Sequence, residues 1–125
     1  MYSYNKITGS CGEKLAVDYL IEKEFVILDK NVYMRWGEID IVAKKGMKIH
    51  FVEVKSRISI KQGLPYEAVR IPKLFHLLRS IQAYIKMNNL YKFRFQVDVI
   101  AIFFSKNRYV QSLKYYENVE VDRFL

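Results

Sequence analysis

The stretch Gly37–Arg57, GEIDIVAKKGMKIHFVEVKSR, decides the predicted fold of this chain. Apolar and alternating residues fill Glu38–Ala43 and Ile49–Val54, and the polar, glycine-containing turn Lys44–Lys48 separates the two runs. This pattern predicts a β-hairpin. Charged side chains stand inside both predicted strands, where apolar residues are expected. They are the carboxylates Glu38, Asp40 and Glu53 and the amine Lys55.

These charged residues share faces of the predicted sheet. Side chains alternate along a strand, so Glu53 and Lys55 lie on one face. Glu38 and Asp40 share a face for the same reason, and the register decides whether the two pairs meet. If Lys45–Gly46 is the two-residue loop, Glu38 lies opposite Glu53. Asp40 then lies diagonal to Glu53, and both separations, roughly 5 Å and roughly 7–8 Å, are within reach of one bound cation.

Carboxylates placed so close destabilise a sheet unless something neutralises them. Magnesium binds carboxylate oxygens at about 2.0–2.1 Å and keeps several waters, one of which can become a nucleophile. Asp40 and Glu53 are therefore predicted metal ligands, and Lys55 is placed to orient that water or to stabilise charge on a phosphate. A structural salt-bridge network between Lys55 and the acids is the alternative. Four charged residues on two adjoining strands favour the metal site.

The same residues resemble a known family. An Asp followed thirteen residues later by Glu-x-Lys (Asp40, Glu53, Lys55) is similar to the core of the PD-(D/E)XK nucleases. The segments GEID and FVEVKSR resemble the corresponding motifs of the YraN-like family of small nucleases. That family is similar in outline to archaeal Holliday-junction resolvases. The resemblance covers about Gly9–Phe104, with Ile39 where the superfamily's name has proline.

The resemblance implies an α/β fold with a restriction-endonuclease-like αβββαβ core, a mixed central sheet flanked by helices. It implies a Mg²⁺- or Mn²⁺-dependent endonuclease acting on DNA, with branched or damaged DNA as candidate substrates. It adds Glu13 on the first helix as a catalytic residue and metal ligand. Taken alone, Glu13 fits equally well as the partner of Ser10 in a capping box. Glu38 and the backbone carbonyl of Val54 are further expected ligands.

The rest of the chain supplies the remaining elements of one predicted domain, residues 1–125. The helix between the third and fourth strands makes a crossover long enough to set those strands parallel. The buried strand before Ser105 contains Asp98, for which a structural partner such as Lys73 or a helix start is expected. The predicted elements outside the hairpin are the helix Cys11–Glu24, the edge strand Phe25–Met34, the loop Ser56–Pro65, the amphipathic helix Pro72–Met87, and the strands Tyr91–Phe104 and Arg108–Tyr116.

The formal net charge of +8 predicts a polyanionic partner, with nucleic acid ahead of a membrane and DNA ahead of RNA. The segment from Val54 to Arg94 contains nine Lys or Arg residues and only one acidic residue. This imbalance favours a nucleic-acid-binding side over a merely solvated one. Trp36 is expected to pack, although base stacking stays open. The candidate phosphate contacts are Arg57, Lys61 and Gln62 in the loop and Lys73 and Arg79 on the second helix.

Two further function classes stay open beside the nuclease: a nucleic-acid-binding module that does not cut, and a metal-stabilised structural protein. One cysteine fits a reducing cytoplasm, and no apolar run approaches a membrane span or a signal peptide. A zinc site is not expected, because His50 falls on the face opposite Glu53 and no second histidine accompanies His76. The resemblance to resolvases makes a homodimer one option, because two strands must be cut symmetrically, but no exposed apolar stripe in the sequence identifies an interface.

Overall fold

The computed structural model describes residues 4–58, 71–107 and 109–119, with side chains from residue 11 in the first range and from residue 76 in the second. The predicted α/β fold and its αβββαβ order are confirmed, as is the predicted last strand after this core. The elements are α1 (Tyr4–Glu22), β1 (Val26–Met34), β2 (Gly37–Lys45), β3 (Lys48–Arg57), α2 (Ile71–Met87), β4 (Arg94–Phe104) and β5 (Val110–Tyr116).

The strands form one mixed sheet in the order β1-β2-β3-β4-β5. Neighbouring strands are antiparallel except β3 and β4, which pair in parallel from Lys48↔Arg94 to Arg57↔Phe103. The predicted crossover through α2 is therefore confirmed. β1 lies at one edge of the sheet, as its polar residues suggested, and β5 lies at the other.

Each helix buries an apolar stripe against one face of the sheet. Ala16 and Leu20 of α1 pack with Val52 of β3 in one cluster. Leu77 and Ile81 of α2 pack in a second cluster with Ile39, Val42, Ile49 and Phe51. Full burial of a Leu or Ile side chain stabilises a fold by about 1.5–3 kcal/mol, so the two clusters hold the helices in place. β3 therefore sends its even-numbered side chains toward α1 and its odd-numbered ones toward α2.

The predicted start of the first helix is wrong. α1 begins at Tyr4, so Ser10 lies inside the helix and not at the N-cap position from which it was expected to pair with Glu13. The helix ends at Glu22, two residues earlier than predicted, because Glu24 adopts a positive φ of 70°. The amide of Phe25 then donates to the carbonyl of Leu20 at 3.0 Å, which closes the helix C-terminus.

Gly12 lets α1 approach β3 closely. A Cβ atom at this position would stand 2.1 Å from Ser56 Oγ and 3.7 Å from Ile102 Cδ1. Only a residue without a side chain fits there while Ser56 keeps its conformation. The close approach places the next residue, Glu13, against the sheet.

The predicted register of the hairpin is wrong by two residues. Lys45 pairs with Lys48, so the loop is Gly46–Met47 and not Lys45–Gly46. Gly46 has a φ of 61°, as the first central position of a type II′ turn requires. An even shift leaves every side chain on its predicted face. If the observed register is extended one position beyond its last pair, Asp40 lies beside Glu53. The predicted register had placed Glu38 there.

The strand β3 continues through Arg57, so Ser56 and Arg57 belong to a strand and not to the predicted loop. Residues 59–65 of that loop lie outside the described ranges. β4 and β5 begin a few residues later than predicted, at Arg94 and Val110. Within the described residues, neither helix combines the length and the apolar character needed to cross a membrane.

Candidate active site

The candidate site lies where β2 and β3 separate. Their ladder ends at Ile41↔Val52, after which β2 pairs only with β1 and β3 only with β4. We call this gap the fork. Asp40 is the first β2 residue beyond the ladder, and its Oδ2 accepts a hydrogen bond of 2.8 Å from the amide of Val54. The N–H and C=O of a strand residue point to the same side, so the Val54 carbonyl also faces the fork.

Three carboxylates from two elements meet at the fork. Glu13 of α1 and Glu38 and Asp40 of β2 each offer one oxygen, and these oxygens lie within 4.8 Å of one another. We call this group the acidic cluster. Glu13 stands one turn before the buried Ala16, at the end of the stripe that packs on the sheet. The sequence had named all three residues as candidate ligands.

The acidic cluster perturbs the ionisation of its members. The pKa of Asp40 rises from 3.8 to about 7, first because the carboxyl is buried and then because Glu53, Glu38 and Glu13 are negative. The hydrogen bond from Val54 opposes this rise without cancelling it. Burial and the charge of Glu38 also raise the pKa of Glu13. The cluster therefore costs free energy when it is fully ionised, and a cation would remove that cost.

The donor set fits magnesium or manganese. Every side-chain ligand atom of the acidic cluster is a carboxylate oxygen, which these hard divalent cations prefer over nitrogen or sulfur. The spacing of 4.8 Å or less lets three oxygens reach one ion. Burial and the neighbouring carboxylates raise the pKa of Asp40, and a cation at this position would favour its ionised form.

Glu53 and Lys55 stand beside the acidic cluster as an ion pair. Lys55 Nζ lies 3.5 Å from Glu53 Oε1, and the side chains are only 11% and 3% exposed. Glu53 does not belong to the group of three mutually close ligand oxygens, although its charge acts directly on Asp40. The predicted set is thus arranged as three close carboxylates and an adjacent, buried lysine–glutamate pair.

Asn31 completes the cluster, although no sequence pattern predicts its place there. With its amide turned so that both polar ends are satisfied, the side-chain nitrogen lies 2.9 Å from Glu38 Oε1 and 3.0 Å from Glu13 Oε2. Asn31 adopts a positive φ of 51° within β1. The only hint in the sequence is that asparagine is uncommon in strands.

A cleft of about 360 Å³ opens onto the acidic cluster from the side of α1 and β1. Glu13, Asn31 and Asp40 line it, and two lysines, Lys14 and Lys30, stand at the same cleft. These lysines belong to no motif, so the sequence did not single them out. They add positive charge beside the carboxylates.

The predicted phosphate contacts are only partly described. Arg79 is exposed on α2, and its guanidinium lies 6.0 Å from the ring centroid of Trp36. Arg35 lies 5.8 Å from the same ring. Arg57 donates to the carbonyl of Ser56 at 2.9 Å. Lys61 and Gln62 lie outside the described residues, as does the side chain of Lys73.

Trp36 lies at the same end of the sheet as the fork. It belongs to the turn between β1 and β2, two residues before Glu38. The hydroxyl of Ser80 on α2 donates to the carbonyl of Gly37 at 3.3 Å, which holds this turn against the helix. Trp36 is half-buried, so the predicted packing is accompanied by contacts to two arginines.

Asp98 has a structural role, and its described partners are other residues than those named from the sequence. Its buried carboxylate accepts hydrogen bonds from His50 Nδ1 at 2.7 Å, Gln96 Nε2 at 2.7 Å and the amide of Asn118 at 2.8 Å, and a fourth from the Tyr115 hydroxyl. Burial pushes the pKa of Asp98 upward, yet these donors lower it below 3.8. These donors come from β3, β4, β5 and the segment after β5, and the side chain of Lys73 lies outside the described residues.

A helix, three antiparallel strands, a crossover helix and a parallel strand, with carboxylates where the second and third strands separate, define a restriction-endonuclease-like α/β protein. The model of the uncharacterised protein family UPF0102 matches residues 12–102, and the chain belongs to this family. The YraN-like resemblance is thereby confirmed.

Relatives of similar length carry the same family name. A UPF0102 protein of Clostridium tetani is 45% identical over 105 residues, which cover 84% of this chain and 86% of the relative. A UPF0102 protein of Clostridium kluyveri is 40% identical over 114 residues, covering 91% and 93%. One of Clostridium novyi is 38% identical over 118 residues, covering 94% and 98%.

Proposed function

We propose that this protein is a metal-dependent endonuclease that hydrolyses phosphodiester bonds in DNA, with branched or damaged DNA as its candidate substrates. The observation that carries the proposal is the fork. Asp40 is held there by the amide of Val54 at 2.8 Å, and Glu13 and Glu38 converge on it from two elements. A cluster of like charges is unfavourable in itself, so its convergence in a cleft favours a functional explanation.

The residues of the fork divide the expected chemistry between them. Asp40, Glu13 and Glu38, with the Val54 carbonyl, would hold Mg²⁺ or Mn²⁺, and Glu53 would add negative charge beside them. A bound metal supplies a water of lowered pKa and neutralises charge on the phosphate. Lys55, which Glu53 Oε1 holds at 3.5 Å, would position that water and stabilise the negative charge that develops on the phosphate.

Several basic side chains support nucleic acid as the substrate. The chain carries a formal charge of +8, and Lys14 and Lys30 stand at the cleft that leads to the acidic cluster. Arg35 and Arg79 contact Trp36 at the end of the sheet where the fork lies. Such groups contact phosphates without reading sequence, so they suit a substrate recognised by shape.

A non-catalytic nucleic-acid-binding module is the second candidate. The ion pair between Lys55 and Glu53 favours it, because a lysine held by a buried carboxylate has a structural role even without chemistry. This candidate predicts salt-dependent binding of DNA and no metal-dependent product with any substrate geometry.

The test is a cleavage assay on labelled four-way junction, flap, duplex and single-stranded DNA in magnesium, manganese or EDTA. Lys55→Met is the inactivating variant. Lys48→Met is its matched control, because Lys48 stands on the same strand about 23 Å away. Cutting that needs metal, disappears in Lys55→Met and persists in Lys48→Met is the expected result. Elution volume with and without the junction tests the proposed homodimer.

The outcomes separate the two candidates. Equal cutting by Lys55→Met and the unmodified chain would refute the assigned role of Lys55. Salt-dependent binding without product on all four substrates would replace the nuclease with the binding module. Cutting that persists in EDTA would exclude the metal from the mechanism.

A further inference from the structure

We propose that Asn31 is a positioning residue that holds Glu13 and Glu38 together for the metal ion. This inference rests on the metal centre proposed above and assigns a role to a residue outside its ligand set. Glu13 and Glu38 come from different elements, α1 and β2, so no covalent neighbour keeps their carboxylates close. Asn31, on the edge strand β1, bridges them at 3.0 Å and 2.9 Å.

The bridge requires a particular side chain. A side-chain amide has two N–H donors on one nitrogen, and each can serve one carboxylate. Aspartate has the same shape but adds a negative charge and no donor. Glycine leaves the carboxylates without the bridge. Asparagine is therefore suited to stabilise two like charges before a cation arrives.

The backbone at this position is also specific. Asn31 has a φ of 51°, which most side chains adopt only with strain but which asparagine, aspartate and glycine tolerate. The strand β1 pairs with β2 on both sides of Asn31, through Lys30↔Ile41 and Val32↔Ile39. The pairing thus holds an unusual backbone in place, and the side chain is directed at the cluster. The hydrogen bond from Asn31 also opposes the rise in the pKa of Glu13.

Residues that orient metal ligands from outside typically affect metal affinity by about 10–100-fold when they are lost. We therefore expect Asn31→Gly to raise the manganese concentration at half-maximal thermal stabilisation by at least about tenfold. Glycine is chosen because it accepts the positive φ and removes only the side chain. Asn89→Gly is the matched control, since Asn89 also has a φ of 51° but is exposed after α2.

The experiment follows the melting temperature during a manganese titration of metal-free protein, with a calorimetric manganese titration as a second readout. A tenfold shift in Asn31→Gly alone supports the inference. An unchanged midpoint in Asn31→Gly, with the unmodified chain responding to manganese, overturns the role of Asn31 and leaves the metal centre standing. No response from the unmodified chain overturns the metal centre, and the inference falls with it.

A second variant tests the hydrogen bonds themselves. Asn31→Asp keeps the backbone and the shape but places a further carboxylate between Glu13 and Glu38. Without metal it should melt below Asn31→Gly, because it adds repulsion where glycine adds none. A melting temperature equal to that of the unmodified chain would mean that the amide does not bridge the two carboxylates, which overturns the inference.

Discussion

Replacing Asp40 by asparagine should stabilise the metal-free protein. The pKa of the carboxyl is raised from 3.8 to about 7, so ionising it in the folded state costs free energy at neutral and higher pH. Asparagine is isosteric and uncharged, and its carbonyl oxygen can still accept the hydrogen bond that Val54 donates at 2.8 Å. The variant therefore removes the repulsion from the neighbouring acids and keeps the local geometry.

The size of the effect follows from the shift. A displacement from 3.8 to about 7 corresponds to about 4 kcal/mol at pH 8, at about 1.4 kcal/mol for each pKa unit. The carboxylate of Asp40 is partly accessible to water, which reduces this value, so we expect about 1–3 kcal/mol of added stability. For a chain of this length, that gain raises the melting temperature by about 5–10 °C.

The sign of this stability difference follows from its dependence on pH. Below about pH 4 Asp40 is protonated in both the folded and the unfolded chain, so the variant should gain nothing. Between 3.8 and about 7 only the folded state keeps the proton, and the free energy of unfolding of the unmodified chain falls as pH rises. The advantage of Asp40→Asn should grow through this window and stay constant above it.

The assay is thermal and urea unfolding in EDTA at pH 4.5 and pH 8, with Asp18→Asn as control because Asp18 is exposed on α1 at the same cleft. Adding magnesium should reverse the order, since only the unmodified chain retains the Asp40 carboxylate for the ion. The reasoning is refuted if Asp40→Asn unfolds more easily than the unmodified chain at pH 8, or if its advantage is the same at both pH values.

Three other perturbations test the structure around the site. Asp98→Asn should lower the free energy of unfolding by about 2–4 kcal/mol at pH 7, because the lowered pKa of Asp98 contributes stability above 3.8 that is lost as pH falls. Urea unfolding that matches the unmodified chain would contradict this. Gly12→Ala should lower the free energy of unfolding by about 1–3 kcal/mol. Adding Ser56→Ala should restore most of this stability, because it removes the oxygen 2.1 Å from the new methyl group. A double variant no more stable than Gly12→Ala would refute the assigned contact. Arg79→Ala and Trp36→Ala should each weaken DNA binding. Arg79→Ala should also reduce the magnitude of the slope of log affinity against log salt by about one. An unchanged slope would exclude a phosphate contact by Arg79.

The hairpin could be predicted because its pattern is strong and local. Alternating apolar residues fixed the faces of β2 and β3, and the glycine of the turn marked the reversal. The register could not be obtained in the same way. Lys45–Gly46 and Gly46–Met47 both give two-residue loops, and a glycine at residue 46 suits either one; the pairing of Lys45 with Lys48 distinguishes them. An error of two residues preserved the faces, which is why Glu38 and Asp40 were still assigned to the same site as Glu53 and Lys55.

The partners of Asp98 and the role of Asn31 depend on contacts between distant parts of the chain. Asp98 meets His50 across 48 positions, and no periodicity carries that information. Asn31 reaches Glu13 because β1 and α1 lie beside each other in the folded chain. Local patterns predict which residues line an element, whereas such pairs follow only from packing.

Asp40 and Asp98 are two carboxylates of one sheet with opposite electrostatic surroundings. Both are withdrawn from water, and burial raises the pKa of each. Asp98 is surrounded by four donors, and its pKa falls. Asp40 receives a hydrogen bond from Val54 and faces negative neighbours, so its pKa rises.

The sheet therefore compensates the buried charge of Asp98 with hydrogen bonds and leaves the charge of Asp40 largely uncompensated. A fold able to satisfy one buried carboxylate so fully has no stability reason to collect further carboxylates around Asp40. Sites that sacrifice stability in this way are those where a ligand restores it. The stabilisation expected from Asp40→Asn and the destabilisation expected from Asp98→Asn therefore test one argument: the charge of Asp40 lowers the stability of the metal-free fold, whereas the charge of Asp98 contributes to it.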